Sequence, residues 1–173
     1  MLKDFKIEKY FNKKPPSNDS FTTMQELKDL AKITINKSFA KEKDDIEKVF
    51  AKIVDEKKLV KQLMEESIPI IKKIKNHHDR PRPSELAKKK NIKLEIVDLK
   101  SAKTPSYPSG HTAQAYLIGM VLSDKHSNKK QQLMNAAKDI SRSRNIARLH
   151  YKSDSKFGEQ IGRDMYNHIK NKI

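Results

Sequence analysis

Residues 112–123 read TAQAYLIGMVLS, the most apolar stretch of the chain, and the tetrapeptide PSGH at 108–111 stands directly before it. The stretch is apolar nearly all round rather than along one stripe, which is typical of a helix buried at the centre of a protein. It is too short to cross a bilayer, which takes about 18 or more apolar residues in a row. We therefore predict a central buried helix, with Ser109 as its N-cap.

Apolar residues at helical spacing lie on both sides of this segment and predict further helices. These start near Phe21 (capped by Asp19 or Ser20) and near Lys41 (with apolar positions over 46–54), and then cover 56–75, 84–90, 127–149 and 154–171. Pro69 should kink or split the helix over 56–75. Residues 92–99 are expected to form a brief strand or an extended segment, and 101–110 a loop. The predicted class is all-α, with an irregular segment at 1–20 and one helical domain over 21–173.

Composition excludes several classes of protein. The 173 residues include no Cys, which excludes disulfides, thiolate zinc sites and a cysteine nucleophile. Only 4 residues are Gly, and they form no glycine-rich phosphate loop. The N-terminal MLKDFKIEKYFNKKPP lacks the apolar core of a secretory signal. We expect a soluble protein without a transmembrane segment, cytoplasmic by default, or periplasmic or secreted if a signal was removed.

The chain is strongly basic, with 38 Lys+Arg against 22 Asp+Glu and a net charge of +16. A Lys-rich solvated surface, a nucleic-acid surface and an enzyme for anionic substrates all fit this charge. The arginines are few and fall mostly in two clusters, Arg80 with Arg82, and Arg142 with Arg144 and Arg148. Because the arginine fork binds phosphate oxygens in a bidentate way, this distribution favours a defined oxyanion site.

Three local groups contain the residue types that phosphoryl transfer needs. They are Lys75-x6-Arg82-Pro83 with Arg80 inside it, Pro108-Ser109-Gly110-His111, and Ser143-Arg144-x5-His150-x3-Asp154. Each alone has an ordinary explanation, such as a solvated loop, a helix cap or a surface ion pair. Together they supply three cations, helix N-terminal amides for an anion, and two histidines for nucleophilic and proton-transfer roles. Asp154 stands where it can hold one ring nitrogen of His150.

The three groups together resemble the signature of the type 2 phosphatidic acid phosphatase superfamily. That superfamily includes the bacterial class A non-specific acid phosphatases and the vanadium haloperoxidases. Its signature, K-x6-RP, PSGH and SR-x5-H-x3-D, occurs in order as KNHHDRPRP, PSGH and SRNIARLHYKSD. The first part could also be read from Lys73 and Arg80. We prefer Lys75 and Arg82, because the family often has an additional Arg two places before the motif Arg.

The resemblance implies a helical bundle and a metal-independent acid phosphatase that hydrolyses small phosphate monoesters through a phosphohistidine. The implied catalytic residues are His150 as nucleophile, Asp154 as the residue that orients it, and His111 as acid and then base. The implied phosphate ligands are Lys75, Arg82, Arg144 and the amides of Ser109 and Gly110, with Arg80 and Tyr107 as candidate pocket residues. No cofactor is expected, and vanadate should inhibit as a phosphate mimic.

The chain departs from the family pattern near the third group. Ala147 and Arg148 stand where Gly is frequent, and Lys152 where Pro is common. Two alternatives stay open: a haloperoxidase with vanadate as cofactor, and a non-enzymatic basic protein that binds polyanions or membrane surfaces. Aromatic residues make up 6% with no Trp, so we expect no specific nucleic-acid partner. The substrate class (phosphomonoester, nucleotide, diphosphate or lipid headgroup) and the oligomeric state, including a homodimer, also stay open.

Overall fold

The computed structural model describes residues 1–172 and consists of helices and loops, with no β-strand among those residues. The helices are α1 (Glu8–Phe11), α2 (Phe21–Lys32), α3 (Lys37–Asp44), α4 (Ile46–Ala51), α5 (Lys57–His78), α6 (Pro83–Lys89), α7 (Gly110–Lys125), α8 (Lys130–Ile146) and α9 (Lys152–Ile169). The predicted all-α class is confirmed. Ile173, the last residue of the predicted helical domain, lies outside the described residues.

Helix α7 is the centre around which the others pack. Its residues Ala113, Leu117 and Ile118 have no exposed surface, and α5, α8 and α9 all contact it. The Ser109 hydroxyl accepts a hydrogen bond from the Thr112 amide at 3.3 Å, so the predicted N-cap is confirmed. Across residues 1–172, neither α7 nor any other helix is both long and apolar enough to cross a membrane.

Two glycines allow α9 to lie directly on α7. A β-carbon at Gly158 would stand 2.5 Å from the Ser109 carbonyl oxygen, and one at Gly162 would stand 2.4 Å from the Ala113 carbonyl oxygen. Any other residue would force the two helices apart, because atoms cannot interpenetrate at such distances. The contact brings the first turn of α9 to the N-terminus of α7, where the Ser109 amide donates to the Asp154 carbonyl oxygen at 3.0 Å.

Several predicted helix boundaries are wrong, each for a local reason. The helix predicted from Lys41 is two helices, α3 and α4, because Asp45 is extended and its carboxylate caps α4 at the Lys48 amide. Pro69 does not split α5, which continues to its end at His78. The lost hydrogen bond is offset by burial of the apolar face of α5 against the core.

Three further segments can be compared with the predictions. Of the two alternatives for residues 92–99, the strand is wrong: the segment has neither helix nor strand, and the amide of Val97 donates to the carbonyl oxygen of Ala147 on the α8–α9 connection. The segment 1–20 is not wholly irregular, because it contains α1, whose Tyr10 is fully buried. The polar helix predicted from residue 127 begins with a 3-10 turn and then continues as α8.

Candidate active site

A cavity of about 220 Å³ lies beside the N-terminus of α7 and receives side chains from all three sequence groups. Lys75 and Arg82 line it from the first group, Gly110 and His111 from the second, and His150 from the third. The chain therefore brings together residues that are widely separated in sequence, although Arg144, predicted as a phosphate ligand, is not among the residues that line this cavity. Lys75 reaches the cavity from the last turn of α5, Arg82 stands just before α6, and His150 lies in the short connection between α8 and α9.

His150 is held between a carboxylate and a cation. Its Nδ1 lies 3.2 Å from Asp154 Oδ2, and its Nε2 lies 2.9 Å from Arg82 Nη1. Because the guanidinium can only donate, Nε2 accepts, and Nδ1 carries the proton that faces Asp154. Burial, with Arg82 as the nearest cation, lowers the pKa of His150 well below its ordinary value. The imidazole is therefore neutral near pH 7, and its Nε2 lone pair accepts from Arg82.

Asp154 is fully buried and accepts several hydrogen bonds. Arg80 Nη1 donates to Oδ1 at 2.7 Å, and the Tyr151 amide donates to Oδ2 at 2.9 Å. The Ser106 hydroxyl also donates to Oδ2. Burial raises the pKa of Asp154 above its ordinary value, while the Arg80 charge and these hydrogen bonds oppose that rise. The carboxylate is thus fixed in orientation on the side of His150 opposite to Nε2.

The two candidate pocket residues, Arg80 and Tyr107, lie behind Asp154 and are not part of the wall around His150. Arg80 is buried, and its Nη2 lies 3.3 Å from Glu26 Oε2 while its Nη1 holds Asp154. Tyr107 stacks on the ring of Phe157 at a centroid distance of 4.4 Å. Both side chains therefore support the carboxylate and the core.

Lys75 and Arg82 are buried cations held by backbone oxygens. The Lys75 amine donates to the Pro105 carbonyl oxygen, and Arg82 Nε donates to that of Thr104 at 2.7 Å. Within residues 1–172 neither cation forms an ion pair with a carboxylate. Burial and the nearby Arg82 lower the pKa of Lys75. Lys73, the alternative reading of the first group, is exposed.

Arg144 and His111 both contact a residue that the sequence did not indicate, Asp44 at the end of α3. Arg144 is fully buried and its Nη1 donates to Asp44 Oδ1 at 2.7 Å, while its Nη2 donates to the Ser101 hydroxyl at 3.1 Å. His111 Nε2 lies 2.9 Å from the Asp44 carbonyl oxygen and 3.3 Å from Oδ1. Desolvation and Arg144 lower the pKa of His111, and Asp44 opposes this.

The N-terminus of α7 presents Gly110 rather than Ser109 to the cavity. The Ser109 amide already donates to the Asp154 carbonyl oxygen, and the Ser109 hydroxyl caps the helix. Gly110 lines the cavity at the first helical position, where an amide has no acceptor within the helix. The first turn of α7 thus offers its free amide and its positive end to an anion.

A stretch of 60 residues in this chain is 38% identical to the non-specific acid phosphatases of Salmonella typhimurium and Salmonella typhi. Part of this chain resembles an acid phosphatase. The matched stretch covers 35% of this chain and 24% of each of these acid phosphatases, so the chain spans about a quarter of their length. No model of a protein family matches the chain. The similarity to the acid phosphatases is confined to this stretch and does not identify a substrate.

The residues that the sequence did not indicate are the ones that hold Arg144, Arg80 and Asp154 in position. Asp44 and Ser101 contact Arg144, Glu26 contacts Arg80, and Ser106 contacts Asp154. Asp44 stands 100 positions before Arg144, in a run of alternating charges without a local motif. Ser106 had the best positional signal, because it stands in the loop that leads into PSGH.

Proposed function

We propose that this protein is a phosphatase that hydrolyses small phosphate monoesters through a phosphohistidine formed on His150. The observation that carries the proposal is the pair of buried cations, Lys75 and Arg82, which stand beside His150 with no carboxylate partner among residues 1–172. A buried charge is costly unless an opposite charge and hydrogen bonds compensate it, so an anionic ligand is the expected occupant. The partial similarity to acid phosphatases supports the same class of reaction.

In the first step, His150 Nε2 attacks phosphorus, a nitrogen–phosphorus bond forms, and the bond from phosphorus to the leaving oxygen breaks. Arg82 donates to Nε2 in the absence of substrate, and we propose that it donates to a phosphoryl oxygen once Nε2 binds phosphorus. Lys75 and the Gly110 amide neutralise the remaining charge. Asp154 stabilises the positive charge that develops on His150, because its carboxylate accepts from Nδ1.

In the second step, the phosphohistidine is hydrolysed. His111 has given its proton to the leaving oxygen in the first step and is left neutral. It can therefore take a proton from water in the second step. The resulting hydroxide attacks phosphorus, the nitrogen–phosphorus bond breaks, and inorganic phosphate leaves. No step needs a metal ion in this proposal, because Lys75, Arg82 and Arg144 supply the positive charge around the phosphoryl group.

The test is hydrolysis of p-nitrophenyl phosphate by the wild-type protein and by His150→Ala, in buffer containing EDTA. We expect activity in the wild type, inhibition by orthovanadate, and a loss of about a thousandfold or more in His150→Ala. The matched control is His126→Ala, because His126 pairs with Glu56 away from the cavity. Acid-labile, base-stable phosphate on the wild-type protein after rapid quenching would identify the phosphohistidine. Full activity in His150→Ala would refute the proposed nucleophile.

A further inference from the structure

The guanidinium of Arg144 donates hydrogen bonds from its two terminal nitrogens, while its third nitrogen, Nε, makes none among residues 1–172. Asp44 accepts from Nη1 and the Ser101 hydroxyl accepts from Nη2, whereas Nε is buried and has no partner within those residues. Leaving a buried N–H without an acceptor is costly, and the cost disappears if a ligand oxygen accepts from it. Arg144 is therefore held at its terminal edge, while Nε, closer to the backbone, has no acceptor among the described residues.

The ring of His111 is likewise constrained at one nitrogen. A backbone carbonyl oxygen can only accept, so Nε2, at 2.9 Å from the Asp44 carbonyl oxygen, must carry a proton. The Asp44 carboxylate lies on the same side, at 3.3 Å from Nε2. Proton exchange with a substrate is then confined to Nδ1, which is the nitrogen that these contacts leave available.

We propose that Asp44 is a positioning residue for the phosphatase reaction, one that orients both Arg144 and His111. On this reading, which rests on the proposed function, Asp44 fixes the terminal edge of Arg144 so that Nε donates to a phosphoryl oxygen. It also holds the Nε2 proton of His111, so that Nδ1 protonates the leaving oxygen. The Ser101 hydroxyl donates to Asp44 Oδ1 at 2.7 Å and keeps the carboxylate in place.

The charges around His111 fix the direction of the expected pH effect. Arg144 on α8 and Lys75 on α5 are the cations near the ring, His150 is neutral, and Asp44 on α3 is the carboxylate that contacts it. Lys41, Asp45 and Glu47 line a second cavity beside His111. The Asp44 charge favours the protonated ring, while desolvation and Arg144 disfavour it. Removal of the Asp44 charge therefore lowers the pKa of His111 and shortens the pH range in which the ring can act as an acid.

A different role for Asp44 would reverse one of these effects. If its carboxylate merely occupied the place of the substrate phosphate on Arg144, its removal would free the guanidinium and strengthen phosphate binding. If Asp44 positions Arg144, its removal lets the guanidinium turn away and weakens phosphate binding. The sign of the change in phosphate affinity separates the two roles.

The test compares Asp44→Asn with Asp45→Asn, which makes the same change of charge at the next residue. Asp45 caps α4 through its side chain, and Asn is an equally good cap, so the control should behave as wild type. Inhibition by orthophosphate is measured first. The pH dependence of kcat/KM follows, with p-nitrophenyl phosphate and with an alkyl phosphate, whose leaving group depends more on proton donation.

For Asp44→Asn we expect the inhibition constant of orthophosphate to rise about tenfold or more, as for the loss of a charged hydrogen bond. The basic limb of kcat/KM should move to lower pH, and the loss should be larger for the alkyl phosphate. An inhibition constant that stays equal or falls, or a basic limb that does not move, overturns the proposal. These results are interpretable only if His150→Ala is inactive. Full activity in that variant refutes the proposed function instead.

If Asp44→Asn does not fold, Ser101→Ala provides the second test. Ser101 contacts both Asp44 and Arg144 through its hydroxyl and is itself exposed. Its loss should raise the inhibition constant of orthophosphate by about two- to tenfold, as for a neutral hydrogen bond. An unchanged constant in a folded Ser101→Ala protein overturns the positioning of Arg144.

Discussion

Replacing Arg80 by Met would remove the charge that compensates the buried carboxylate of Asp154. Met has a similar length and fills space adaptably, so the change mainly removes charge and hydrogen bonds. The lost contacts are those from Nη1 to Asp154 Oδ1 and to the Ser153 hydroxyl, both at 2.7 Å, and the one from Nη2 to Glu26 Oε2 at 3.3 Å. The guanidinium also lies 3.8 Å above the centre of the Tyr151 ring, a cation–π contact that Met cannot make.

The expected loss of stability is large because both partners are inside the protein. The side chains of Arg80 and Asp154 are 1% and 0% exposed, and breaking such a pair from one side typically costs about 3–5 kcal/mol. The loss depends on pH. Burial already raises the pKa of Asp154 to about 6, and without Arg80 it rises further. Above pH 6 the folded variant must then keep a proton or bury an unpaired charge, so its loss relative to the wild type grows as pH rises.

The assay is urea unfolding of the wild type and Arg80→Met at pH 5 and pH 8. The matched control is Arg163→Met, which removes an ion pair with Glu159 whose side chains are 45% and 36% exposed. Exposed pairs contribute about 0.2–1 kcal/mol, so the control should lose little. A loss below about 1 kcal/mol in Arg80→Met, or the same loss at both pH values, would refute the reasoning about the buried pair.

Two further substitutions test other parts of the site. Lys75→Met should raise the free energy of unfolding by about 1–2 kcal/mol, because it removes an uncompensated buried cation. The same change should raise the inhibition constant of orthophosphate at least about tenfold. A less stable variant in urea unfolding would contradict the first expectation. Arg148 has a φ of 57°, so Arg148→Gly should be more stable than Arg148→Ala by about 1 kcal/mol in the same assay. Both variants lose the hydrogen bonds to the Ala31 and Ile33 carbonyl oxygens, and equal stabilities would argue against strain at this position.

The central helix was predictable because it depends on local pattern, whereas the meeting of the three groups was predicted from the chemistry they supply together and from the resemblance to a known signature. An all-round apolar run can be buried only at the centre of a fold, and a Ser before it is a favoured cap. Asp154 stands four positions after His150, so their contact was also expressed in local spacing. Burial decides between Lys75 and Lys73 as the lysine of the first group, because Lys75 lies on the inner face of α5 and Lys73 is exposed.

The partners of the arginines were not predictable, because they come from distant segments without a pattern of their own. Asp44 belongs to a charged run in which Asp45 is an equally plausible candidate, and the fold alone decides that one reaches Arg144 while the other caps α4. Glu26 on α2 reaches Arg80 beside the start of α9, where the Ser153 amide also donates to the Glu26 carboxylate. Tertiary placement likewise overrides the helix-breaking tendency of Pro69.

The contact of α7 with α9 has a consequence for how the protein can change over generations. The approach of α9 to α7 depends on backbone atoms, through Gly158, Gly162 and the hydrogen bond from the Ser109 amide to the Asp154 carbonyl oxygen. The opposite wall of the cavity consists of α5 side chains such as Ile68 and Ile71. Under the proposed function, substitutions of the exposed Ile68 would alter which leaving groups fit, while Lys75 on the same helix would stay in place. Selectivity and chemistry would then be traits that selection can act on separately.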